Sequence, residues 1–207
     1  MKDVDVNASE GGQPKTSLTL LDQVRKRDKD AWDRLVSLYA PLVYHWCKVA
    51  GLQTADVEEV CQEVFLAVAR KIVGFHHDQP GDSFRGWLRT ITKNKINDRS
   101  FPPGGQGTGG SAAHQRLQEM PATAAAEEVN PDAQAVEKNI LYRRAVEMIE
   151  MSFEPNTRRA FWLLIAGQKA NDVAAELQMS AGAVYVAKSK VLKRLREEFH
   201  GLLELGS

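Results

Sequence analysis

A chain of 207 residues with 43% apolar and 26% charged residues has the composition of a folded protein, long enough for one domain or two small ones each with its own core; it is not that of a disordered chain. Lys+Arg and Asp+Glu both number 27, so the net charge of zero is silent about nucleic acid, but the distribution is uneven: five acids and no base between Glu119 and Glu137, against five bases and one acid between Arg85 and Arg99. No apolar run approaches the roughly 20 residues needed to cross a bilayer, and residues 1–14 are too polar for a signal peptide, so a cytoplasmic protein without membrane insertion is expected.

Residues 1–15 are polar, Gly-containing and aperiodic, which predicts a disordered tail. Helical periodicity begins at Leu18 and continues through Leu21 and Val24 to a turn at Arg27-Asp28. From Asp30 the stripe Trp32, Leu35, Val36, Tyr39, Val43 and Trp46 predicts a long helix, kinked by Pro41 and stopped at Gly51. A third helix is expected from Thr54 as its cap, with Asp56, Glu58 and Glu59 against the positive end of the dipole. Its inner face reads Val57, Val60, Cys61, Val64, Phe65, Val68 and Ile72; its outer stripe reads Glu59, Gln62, Glu63, Leu66 and Arg70. An exposed Leu on an acidic face is a modest docking signal, since scattered surface leucines are common. Cys47 and Cys61 fall on apolar faces and are too few for a disulfide framework, so both read as buried reduced thiols.

His76 to Asp82 reads as a loop. Its paired histidines beside Asp78 have no cysteine or further histidine at ligand spacing, so neither metal nor cofactor is expected. Ser83 then caps a fourth helix with Phe84, Trp87, Leu88 and Ile91 inward and Arg89, Lys93, Asn94 and Asn97 outward. Aromatics near the start with amides and bases outside suit unstacked bases and phosphates, although a solvated basic face has the same composition. The run PPGGQGTGGSAA cannot be helix or strand, so residues 101–130 are expected to act as a flexible linker. Asn130-Pro131 opens a helix expected to run from Asp132 to Phe153, with Ile140, Leu141, Val146 and Ile149 in the core. Pro155 starts the next, carrying Phe161, Trp162, Leu164 and Ile165, and Gly167 ends it.

The last stretch is the most informative. Val173, Ala174 and Leu177 give a short helix an apolar edge, Gln178-Met179 interrupts it, and Ser180 stands as the N-cap of a longer helix with Val184, Ala187, Val191 and Leu195 as its core face. This is the layout of a helix-turn-helix. From Val184 to Arg196 the second helix holds five bases and no acid. A helical wheel turns Gly182, Tyr185, Val186, Ser189, Lys190, Lys193 and Arg196 away from the core, while Lys188 falls nearer the apolar side, reaching a phosphate by its stem. The whole pattern predicts an all-α protein of two small helical domains, with no segment alternating like a strand.

In their order, the strings DVEEVCQEVFLAVARK (Asp56 to Lys71) and FRGWLRTITKNKINDR (Phe84 to Arg99), the linker and the helix-turn-helix resemble a bacterial RNA polymerase sigma factor of the extracytoplasmic-function type, over Leu18 to Arg99 and Val136 to Phe199. The resemblance implies a non-enzymatic transcription initiation factor. Residues 16–100 would be region 2, which docks on core RNA polymerase and opens the −10 element. Residues 131–205 would be region 4, which reads the −35 element of promoter DNA. Carried over to matching positions, Asp56, Glu59, Gln62, Glu63 and Leu66 form the polymerase-docking stripe. Trp87, Arg89, Lys93, Asn94 and Asn97 line the melted −10 strand, the loop His76 to Asp82 matches the base-capturing loop, and Gly182, Tyr185, Val186, Lys188, Ser189, Lys190, Lys193 and Arg196 face the −35 duplex. An anti-sigma factor is a further partner that the resemblance admits. Gln178 stands where the family usually has Gly, Ser100-Phe101-Pro102-Pro103 where it often has several Arg, and no region 3 occupies the linker. A stand-alone helix-turn-helix regulator is the alternative, but it leaves a second basic helix behind an acidic stripe unexplained. An enzyme finds no support in any nucleophile–base pair or phosphate-binding glycine loop.

Overall fold

The computed structural model describes residues 19–75, 83–100 and 130–203; the predicted tail, the loop His76 to Asp82 and the linker 101–129 lie outside them. The described residues form α-helices and short 3-10 turns, with no strand among them. Helix α1 (Leu20–Arg25) opens on a capping box: the Thr19 hydroxyl accepts from the Asp22 N–H, and the Asp22 carboxylate accepts from the Thr19 N–H. At its end Arg27 takes a positive φ of 61°, and Asp28 caps α2 (Lys29–Val49) by accepting from the Ala31 N–H at 2.8 Å.

Helix α2 is the centre of the molecule. Leu35, Leu38, Tyr39, Leu42, Val43 and Cys47 are completely buried, and the helix packs on α1, on α3 (Thr54–Lys71), on α4 (Phe84–Ser100) and on α5 (Pro131–Ile149). It ends in the expected glycine motif: Gly51 has φ 85°, its N–H bonds the Lys48 carbonyl, and the Leu52 N–H bonds that of Cys47. The helix runs on through Pro41. Proline has no N–H to give the carbonyl four residues back, so the Ser37 carbonyl loses its intrahelical donor. Arg144 of α5 supplies one, with Nε donating to that carbonyl at 2.8 Å and a terminal nitrogen to Ser37 Oγ at 2.6 Å.

Two helix ends differ from the sequence reading by small amounts. Gln53, not Thr54, occupies the N-cap of α3 and makes no side-chain cap bond. Helix α5 starts as expected, with Asn130 capping and Pro131 in the first turn, but stops at Ile149 and passes into a 3-10 turn, Glu150–Ser152. The inner face of α3 is buried as read, except that Cys61 is only half-buried.

Helices α6 (Pro155–Ile165), α7 (Ala170–Leu177) and α8 (Ala181–Glu198) complete the described chain. Gly167, at φ 90°, terminates α6 as the sequence required. A small core of Ala160, Val173, Ala174, Leu177, Val184 and Ala187 holds α7 across α8, with Ala160 contributed by α6. The main core is continuous from Leu20 through α2, α3 and α4 to Leu141, Ala145 and Ile149 of α5 and to Leu195, Phe199 and Leu202. The C-terminal segment therefore shares a hydrophobic core with the N-terminal one. Polar contacts reinforce it: the Tyr39 hydroxyl donates to the Leu202 carbonyl at 3.1 Å, and Arg34 pairs with Glu198.

Candidate functional site

Three surfaces carry the residues singled out above. The first is the outer stripe of α3. With Val57, Val60, Val64 and Val68 turned into the core, the helical period turns Glu59, Gln62, Glu63 and Leu66 to solvent. Leu66 is 56% exposed, and Asp56 at the start of the stripe is half-buried. The acids are not idle: α4 lies alongside, and Arg99 bridges Asp56 and Glu59 while Lys95 reaches Glu63 at 3.2 Å. The hydrogen bonds that Arg99 donates to Glu59, then to Asp56, raise its pKa above its usual value. These pairs are solvent-exposed and contribute little to stability, but they tie the outer stripe to α4.

The second surface is α4. Ser83 caps it, with Oγ accepting from the Gly86 N–H at 3.1 Å. Trp87 is half-buried, its ring 4.8 Å from that of Phe75 and 5.5 Å from that of Phe84. Lys93 and Asn97 are exposed and Asn94 is half-buried. Arg89 does not point freely outward. It donates to Glu137 of α5 at 2.8 Å and stacks over the Trp46 ring, whose indole N–H donates to the same carboxylate oxygen at 2.8 Å. Glu137 is only 3% exposed, and Arg85 approaches its other oxygen at 3.9 Å. Sequence reasoning counted Glu137 merely as the end of an acidic stretch. The signal was there: Glu137 leads Leu141, Ala145 and Ile149 at four-residue steps on the buried face of α5.

The third surface is the helix-turn-helix. Gln178 takes the left-handed conformation (φ 53°, ψ 43°) that glycine would adopt without strain, and the Met179 N–H closes the turn on the Ala174 carbonyl at 2.9 Å. Ser180 caps α8 by accepting from the Ala183 N–H at 3.1 Å. Burial of Val184, Ala187, Val191 and Leu195 leaves Gly182, Tyr185, Val186, Ser189, Lys190, Lys193 and Arg196 exposed on the other side. Lys188 is exposed too. Tyr185 and Val186, 59% and 53% exposed, present apolar surface early in the helix, whereas Lys193 and Arg194 engage Glu197 and Glu198 near its end.

Among the described residues no group of His, Cys, Asp and Glu could hold a metal ion, and no helix is long and apolar enough to cross a membrane.

Comparison with known proteins bears on the first two of these surfaces. Residues 35–100 match the family described as sigma-70 region 2. The ECF RNA polymerase sigma factor SigE of Mycolicibacterium smegmatis is 37% identical over 68 residues, which is 33% of this chain and 25% of SigE. The ECF RNA polymerase sigma factor BldN of Streptomyces coelicolor is 32% identical over 83 residues, 39% of this chain and 30% of BldN. The matches thus span less than a third of either relative's length. A solved RsbN–BldN complex includes a chain that is 19% identical with a TM-score of 0.35, aligned over 84% of this chain and 96% of that one. With α2, α3 and α4 forming the matched segment, residues 35–100 match sigma-70 region 2, and there the chain is similar to sigma factors of the extracytoplasmic-function type.

Proposed function

We propose that this protein is a transcription initiation factor that binds core RNA polymerase and directs it to specific promoters, with residues 16–100 acting as region 2 and 131–205 as region 4. The observation that carries this reading is a pair of separate surfaces on one chain: a sigma-70 region 2 and, beyond it, a helix-turn-helix whose second helix is exposed and basic. On this reading the stripe Asp56, Glu59, Gln62, Glu63 and Leu66 docks on polymerase. Leu66 is 56% exposed, and full burial of a leucine is worth about 1.5–3 kcal/mol, so covering it would contribute about 1 kcal/mol.

Trp87, Arg89, Lys93, Asn94 and Asn97 would hold the opened −10 strand. Binding unstacked bases stabilises the melted state at the expense of the duplex and needs no hydrolysis. Helix α8 would enter the major groove of the −35 element, which is wide enough to admit a helix. An anti-sigma factor would act by covering one of these surfaces. The test is co-purification with core polymerase. Glu63→Lys combined with Leu66→Ala should abolish it with helix content unchanged, and a folded double variant that still binds would remove the docking assignment.

A further inference from the structure

Arg89, assigned above to the opened −10 strand, already holds an anion. Its guanidinium donates to Glu137 Oε1 at 2.8 Å and lies over the Trp46 ring, and the Trp46 indole N–H donates to the same oxygen at 2.8 Å. Arg85, one turn earlier on α4, stands 3.9 Å from the other carboxylate oxygen. Two guanidinium groups and an indole N–H thus surround one buried carboxylate. Burying a carboxylate is costly unless charged partners and donors meet it, and here they do. A backbone phosphate offers the same chemistry, anionic oxygens that a guanidinium grips as a fork. The place that Glu137 fills therefore suits a phosphate of the strand.

The position of Glu137 along α5 makes that place easy to open. It is the first buried residue of the helix: Pro131 to Val136 ahead of it are exposed or half-buried, whereas Leu141, Ala145 and Ile149 behind it sit in the shared core. Freeing the carboxylate requires release of the first two turns, which begin at the Asn130 cap on the Asp132 N–H at 2.9 Å. The two halves need not separate. Helix ends open at less cost than packed interiors.

We propose that Glu137 is a built-in competitor of the opened strand: its carboxylate fills a phosphate site at Arg89 in the free protein and leaves when the strand is held there. The inference rests on the assignment of Arg89 to the −10 strand. Carboxylate and phosphate exclude each other, because both are anions and both need the same donors. The affinity of the free protein for single-stranded DNA is then lowered by the fraction of time the site is closed. Any partner that draws the start of α5 away raises that affinity in turn.

The test measures binding of a labelled single-stranded 12-mer DNA to the full-length protein by fluorescence anisotropy. Glu137→Gln keeps an oxygen for the Trp46 N–H, so the fold is retained, and it should bind about fivefold more tightly than the wild type. In an Arg89→Ala background most of that gain should be lost. Asp132→Asn removes an equal charge from the exposed first turn of α5 and should bring no gain. The proposal is overturned if Glu137→Gln binds no more tightly than the wild type, or if Asp132→Asn matches it, which would make the effect one of net charge. Arg89→Ala then separates the two ideas. If it weakens binding in the Glu137→Gln protein, the −10 assignment of Arg89 stands and only the competition is lost; if it changes nothing there, both fall.

Discussion

The Glu137 carboxylate makes a demanding test of how the two halves are held together. In Glu137→Ala the Trp46 indole N–H stays where it is, since the ring is only 8% exposed, and loses its acceptor. A buried donor left unsatisfied costs about 1–3 kcal/mol. Arg89 loses its carboxylate as well, but its side chain is 36% exposed and rehydrates, so that part resembles a surface pair at about 0.2–1 kcal/mol. Together the substitution should weaken the seating of α5 on α2 and α4 by about 2–3 kcal/mol, a figure taken from both contributions. Glu137→Gln keeps an oxygen for Trp46 and gives up only the charge, so it should cost about 1 kcal/mol. The assay is hydrogen exchange at the Trp46 indole in the full-length protein. A loss of 2–3 kcal/mol predicts roughly 30- to 150-fold faster exchange in the alanine variant, and the glutamine variant should fall near fivefold. Equal rates in both variants and the wild type would refute the reasoning, because they would mean that Trp46 is protected by α2 alone and that α5 is not held there by its carboxylate.

Three further outcomes are expected. Gln178→Gly should stabilise the protein by up to about 1 kcal/mol in urea unfolding, because glycine relieves the positive φ at the α7–α8 turn and gives back part of the gain as unfolded-chain entropy. In α8, Lys193→Ala or Arg196→Ala should weaken binding to all duplexes alike and lower the salt slope by roughly 0.9, whereas changes at Tyr185, Val186 or Ser189 should shift the preferred sequence by about 1–3 kcal/mol per base contact; the reverse pattern would mean the helix does not lie in the groove this way round. The Thr19 hydroxyl holds the Asp22 carboxyl below its ordinary value of 3.8, so the folded state releases that proton more readily than the unfolded one. The resulting stability is complete above pH 3.8 and is lost as pH falls through the folded value. Thr19→Val should therefore flatten the acid limb of the stability curve.

Periodicity was enough to read the helices, because each buries one face and the apolar spacing follows the 3.6-residue turn: Val57 to Ile72 and Val184 to Leu195 are core residues as spaced, Cys61 excepted. Glycines and caps were equally plain, since Gly51, Gly167, Asn130 and Ser180 act through their own backbone or side chain within a turn. The pairing of Arg89 with Glu137 and Trp46 was not legible. It joins residues far apart in the chain, and the charges alone do not tell a buried carboxylate from a solvated one. Likewise the outer stripe of α3 was visible as acidic, but its engagement by Arg99 and Lys95 depends on the tertiary placement of α4.

Pro41 carries a genetic consequence. A docking point made from an orphaned carbonyl is invisible to side-chain scanning: Ser37→Ala removes one of the two acceptors that Arg144 uses and leaves the main-chain one intact. Pro41→Ala, by contrast, restores a donor inside α2 that competes for that oxygen. The same substitution strengthens the helix, by the roughly 3 kcal/mol that an interior proline can cost, and loosens the grip on α5. Its size is therefore epistatic. Selected on residues 19–100 alone it would be retained as beneficial; selected on the full-length protein, part of that gain would be cancelled by the cost of the weakened Arg144 contact, and Arg144→Met should erase the difference between the two backgrounds.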